Sequence, residues 1–144
     1  MAPGLTDDAC PLACRSVPRP LPLRAEQPPD DAAVAIRGGV LSRASIEQAT
    51  ARSLDLHGVL GISVEGAIGV SVLDACRSSE RLAPYRRIRL STFGRLRAAG
   101  FALLATFEHP HFTLVLPDLS ELTIVRLDRC FDDPIPNPAG EPRG

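Results

Sequence analysis

Phe101-Ala-Leu-Leu-Ala-Thr-Phe107 and Phe112-Thr-Leu-Val-Leu116 are two β-rich runs joined by Glu108-His109-Pro110-His111. Two such runs around a short polar join containing proline read as a β-hairpin. The hairpin puts an antiparallel pair near the end of the chain. Segments with helical spacing stand on both sides of it, so the chain is neither all-α nor all-β.

Working back from the hairpin, Gly100 stops a short helix that carries Phe93, Leu96 and Ala99 and starts on Ser91 or Thr92. Arg87–Leu90 reads as a strand. Before it, Ser71-Val72-Leu73-Asp74 is a capping-box-like start for a helix to about Leu82, ended by Pro84. Val59–Val64 is another strand. Ser42 caps a helix from Arg43 to His57, with Ile46, Ala49 and Leu54 on a weak apolar face and Gly58 as its stop. Ala33–Arg37 is a short apolar strand running into Gly38-Gly39. Beyond the hairpin, Asp118 and Glu121 form a second capping box, for a helix to about Cys130 that buries Leu122, Val125 and Leu127 or Ile124. The order is β-α-β-α-β-α-β-β-α. It predicts a single small α/β or α+β domain with a mixed sheet, the first strands parallel through right-handed crossovers.

Proline marks the limits of that domain. Residues 1–30 hold seven prolines and 132–144 hold four, against Pro84, Pro110 and Pro117 between them. Proline removes a donor and restricts the residue before it. The expectation is therefore a disordered Pro-rich arm over 1–31, a globular domain over 32–131, and a Pro-rich C-terminal tail over 132–144. The start of the chain lacks the charged and apolar regions of a signal peptide, and no apolar run approaches the ~18 residues of a membrane span. A cytoplasmic protein with reduced thiols and no membrane partner is expected. Cys10 and Cys14 lie in the arm, Cys76 and Cys130 in predicted helices. No second tight pair of ligands accompanies them, so no metal and no cofactor are expected.

All 16 basic residues are arginine and none is lysine. The bias matches a GC-rich genome and a bacterial origin, and it excludes a lysine nucleophile and a P-loop. Gly61-Ile62-Ser63-Val64-Glu65 and Gly69-Val70-Ser71-Val72-Leu73 both miss the fifth-position glycine of a nucleophile elbow, which disfavours a serine hydrolase. The glycines at 58, 61, 66 and 69 do not make a dinucleotide-binding pattern.

Charge is the strongest signal. The net charge of −1 conceals a segment, 77–97, with seven arginines and one acid. Arg86, Arg87, Arg89, Arg95 and Arg97 are the expected phosphate-binding residues, and Tyr85 the base-stacking one. Arg87 and Arg89 share one face of a strand, opposite Ile88 and Leu90, and are expected to be exposed. On the hairpin, Glu108, His109 and His111, beside Thr106, are the catalytic candidates, because a carboxylate beside imidazoles can exchange protons near neutral pH. Base, acid and cationic stabiliser are the parts ribonuclease chemistry needs. The reading is a small RNA-directed enzyme, of the kind found as the toxin of a bacterial toxin–antitoxin pair, with RNA and an acidic antitoxin as partners. The alternatives are a non-enzymatic module that binds nucleic acid or an acidic protein through the arginine face, and an ADP-ribosyltransferase-like domain built around Arg37.

Overall fold

The computed structural model describes residues 18–39 and 41–140, and one local device starts all the α-helices among them. Ser42, Ser71, Thr92 and Ser120 stand in extended backbone, and each side chain accepts a hydrogen bond from the amide three residues on. Those caps satisfy amides that a helix start leaves without partners. They open α1 (Arg43–His57), α2 (Val72–Ser78), α3 (Phe93–Ala98) and α4 (Glu121–Arg129). Gly58 and Gly100 follow α1 and α3 at φ 72° and 93°, where a Cβ would be strained.

The cap of α4 is Ser120, where the sequence suggests Asp118. Asp118 instead accepts from the Thr123 hydroxyl at 2.6 Å, the Ser120 hydroxyl at 2.7 Å and the Ser120 amide at 3.0 Å. These bonds hold its carboxyl down at about 2. Within α4, Thr123, Ile124 and Leu127 are buried. Leu122 and Val125, expected in the core, are 73% and 37% exposed. In α1, likewise, Thr50 joins Ile46 inside and Leu54 is exposed.

The strands are β1 (Ala33–Arg37), β2 (Leu60–Ala67), β3 (Arg87–Thr92), β4 (Ala102–Ala105), β5 (His111–Leu116) and β6 (Ile135–Pro136). They form one sheet in the order β4-β5-β2-β1-β3-β6. Every pairing is antiparallel, so the mixed sheet expected from the element order is corrected to an α+β arrangement. The alternation of elements shows that helices join the strands but not at which end the chain re-enters. Ala33 pairs with Ala67 and Ala35 with Glu65, so α1 leaves β1 and returns to β2 at the same end of the sheet. β2 and β3 do run in the same direction, but β1 lies between them.

Cross-strand partners share a face of the sheet. One face carries Val34, Ile36, Ile62, Val64, Phe112 and Leu114, which join Ile46, Phe93, Leu96 and Leu127 in the main core. On the other face Ala35 and Ile88 pack with Cys76 and Leu82. Gly61 of β2 lies beneath Ser53 of α1, and a Cβ there would come within 2.5 Å of Thr113 Cγ2 and 2.8 Å of Ser53 Oγ. Gly61→Ala is expected to destabilise the fold by about 1–3 kcal/mol through overpacking. Urea unfolding of the variant measures it, and an unshifted midpoint would show that the helix yields without cost.

Residues 18–31, expected to be a disordered arm, lie along the domain as a strap. Leu23 forms an antiparallel bridge with Thr106. The amide of Arg24 donates to Ala105 O at 3.0 Å, and that of Phe107 to Pro22 O at 2.8 Å. The Arg24 guanidinium donates to the carbonyls of Thr106 and His111, and Asp30 pairs with Arg97 at 2.9 Å. Proline content correctly argues against helix or sheet interior here, but it says nothing about such side-on bonding. Residues 1–17, with Cys10 and Cys14, lie outside the described residues, as do 141–144. Over 132–140 the tail runs along β3, with Asn137 donating to the carbonyls of Leu82 and Tyr85.

Candidate active site

Strand register builds the site. Glu65 pairs with His111 across β2 and β5, and Thr106 continues the same rung beyond β4. Thr106, His111 and Glu65 therefore stand side by side on one face of the sheet. That face is usually solvated in such sheets, yet these three residues are no more than 4% exposed. The segment following α2 covers them and, with the hairpin join, encloses an open pocket of about 810 Å³. Its lining includes Glu65, Ser79, Arg81, Phe107, His109 and His111.

His111 Nδ1 lies 2.9 Å from the Thr106 hydroxyl and 3.3 Å from the Thr106 carbonyl. A carbonyl only accepts, so the tautomer that makes this bond carries its hydrogen on Nδ1 and leaves Nε2 as the bare nitrogen of a neutral imidazole. Burial and then the Arg81 charge push the imidazole down to about 4, against the bond to Thr106. Thr113 completes the support, its hydroxyl 2.8 Å from that of Thr106. Burial pushes the Glu65 carboxyl up, opposed by the Ser79 hydroxyl and by Arg81. Glu65 Oε2 and His111 Nε2 are both buried without a hydrogen-bond partner among the described residues. Unpaired buried polar atoms cost ~1–3 kcal/mol each, and here two of them belong to residues that line one pocket.

The two titrations give stability a signed pH dependence. An unfolded histidine takes up its proton near pH 6.5, whereas folded His111 does so at about 4. Between those values the unfolded state holds the extra proton, so stability falls as pH falls, by up to ~3 kcal/mol. Glu65 has the opposite sign, because its folded value is raised above 4.5 and its contribution is lost as pH rises through that raised value. Denaturation midpoints are expected to drop between pH 6.5 and 4.5, less steeply in His111→Gln. An equal slope in the variant would remove His111 as the cause.

The other predicted residues are distributed differently. His109 is exposed at the pocket rim, with Nδ1 3.0 Å from both oxygens of Glu26 in the strap. Bonds from His109 and Arg24 outweigh the opposing desolvation and lower the Glu26 carboxyl. Glu108 is exposed on the rim, and its carbonyl accepts from the His111 amide. The expected phosphate strip is not one surface. Arg89 is 5% exposed, on the face opposite His111, contrary to its expected exposure. Its guanidinium donates to the carbonyls of Asp128, Phe131 and Asp132 and to the Asp128 carboxylate. Arg95 pairs with Asp132 and Arg97 with Asp30. Arg86 and Arg87 are exposed, with no side-chain ion pair among the described residues, and do not line the pocket. The Tyr85 ring carries the Arg37 guanidinium 5.4 Å from its centroid, beside a separate pocket of about 310 Å³.

Glu65 and Arg81 are the pocket residues that sequence reasoning passes over. Reading the second strand as ending at Val64 leaves Glu65 outside it. The alternation Ile62, Ser63, Val64, Glu65 continues one residue further and was the available signal. Among the described residues no helix is long and apolar enough to cross a membrane, and no three His, Cys, Asp or Glu residues gather as a metal site. Comparison with protein-family models, curated proteins and solved structures finds no match.

Proposed function

We propose that the Glu65–His111 pocket is the active site of a small ribonuclease that cleaves by internal transesterification. The carrying observation is the pair of buried, unpartnered atoms, Glu65 Oε2 and His111 Nε2, set on neighbouring strands beside one pocket. Neutral His111 takes the proton of a ribose 2′-hydroxyl through Nε2, and the 2′-oxygen attacks the adjacent phosphorus. The P–O5′ bond breaks, protonated Glu65 supplies the leaving 5′-oxygen with a proton, and a 2′,3′-cyclic phosphate remains. Arg81, whose charge acts on both residues, opposes the growing negative charge on phosphorus. A cytotoxic enzyme of this kind, held by an antitoxin, fits the chemistry.

The experiment offers the protein an RNA oligonucleotide and its 2′-deoxy counterpart. Cleavage of the first alone to a cyclic phosphate, lost in His111→Ala, is the expected result, with growth arrest on expression relieved by the same variant. Cleavage of both substrates would rule out the 2′-hydroxyl mechanism.

A second reading rests on Arg86 and Arg87, exposed and without ion-pair partners among the described residues. They suit a binding module that docks nucleic acid or an acidic partner. It predicts salt-sensitive binding without turnover, weakened in the double alanine variant.

A further inference from the structure

Phe107 is a non-glycine residue at positive φ, 56°. For an aromatic residue that backbone is costly, and it persists only where surrounding bonds hold it. The strap does so here, through the 2.8 Å bond from the Phe107 amide to Pro22 O. Phe107 is 44% exposed and lines the pocket rather than joining the core. The ring centroid is 5.2 Å from that of His111 and 6.3 Å from that of His57, at interplanar angles of 77° and 65°. Neither imidazole is parallel to the Phe107 ring, so neither stacks flat on it.

We infer that Phe107 is the platform on which a nucleobase of the substrate stacks, which makes it a specificity-determining residue and makes the ligand class nucleotides. The inference rests on the ribonuclease reading and deepens it. A base laid on this ring has its own ribose beside His111, the group that must reach the 2′-hydroxyl. Stacking of this kind accepts any base, because every base has a π-face. The role expected of Tyr85 thus passes to a ring at the pocket.

The test measures affinities by calorimetry for uridine and adenosine 5′-monophosphates and for ribose 5-phosphate, which shares the sugar and phosphate but has no base. The wild-type protein is expected to prefer the nucleotides by about 5- to 150-fold, the range that a stacked base contributes. Phe107→Ala should bring the ratio close to one, and Phe107→Tyr should keep it. Phe107→Gly guards against loss by unfolding, because glycine suits the positive φ, and it should also abolish the preference. Absence of a base preference in the wild type, or its survival in Phe107→Gly, overturns the platform, as does failure of all three ligands to bind. Cleavage of RNA without base preference would sink the platform and leave the acid–base pair standing. Base preference without cleavage would do the reverse.

Discussion

Arg89→Ala is expected to cost about 3–5 kcal/mol of stability, the range for breaking a buried charged network by removing one partner. For a domain of this size that means a fall in melting temperature on the order of 10–20 °C. The guanidinium gathers the carbonyls of Asp128, Phe131 and Asp132, where α4 ends and the tail begins. Removing it leaves those acceptors poorly satisfied and opens a gap beside Phe131. Asp128→Ala should cost much less, because the Asp128 side chain is 46% exposed and supplies one of four bonds. Calorimetry of the two variants separates these effects. An Arg89→Ala protein melting within two or three degrees of wild type would show that the arginine is dispensable to the fold.

His111→Ala is expected to lower kcat/KM for RNA by about 10²- to 10⁴-fold, the usual contribution of a positioned general base. Glu65→Gln keeps the shape of the side chain but cannot deliver a proton, and a loss of similar size is expected. If the two act in one step, the double variant should lose far less than the product of the single losses. The rate should rise with pH through about 4, as His111 becomes neutral, and fall above the raised value of Glu65. His111→Ala should erase the acidic limb. Unchanged kinetics in Glu65→Gln would return the acid role to Glu108 or His109 on the rim.

Much of the fold was legible because its punctuation is local. Ser42, Gly58, Ser71 and Gly100 act through neighbouring atoms, and the helix starts and stops they imply are observed. The direction of the strands was not legible, because it depends on how α1 lies on the sheet and no residue of α1 states that. The candidate site was half legible. His111 and Thr106 stand out as polar residues in an apolar hairpin, but Glu65 becomes their neighbour only through pairing 46 residues away. The arginine segment was legible only in part for the same reason. Its charges lie close in sequence, yet the partners of Arg89, Arg95 and Arg97, which are Asp128, Asp132 and Asp30, come from toward the two ends of the chain.

Those two ends have one further consequence, for self-association. An open sheet exposes unpaired amides and carbonyls on its outermost strands, where a second molecule can add a strand. Here the tail occupies the outer side of β3 from Arg86 to Leu90, and β6 ends in Pro136, which has no amide hydrogen to extend the ladder. On the opposite side Leu23 and Arg24 take the place of an incoming strand beside Ala105 and Thr106. The prolines that keep these segments out of the sheet interior thus make them poor templates for an added strand, which closes the outer side of β3 and the Ala105 end of β4 to a second molecule.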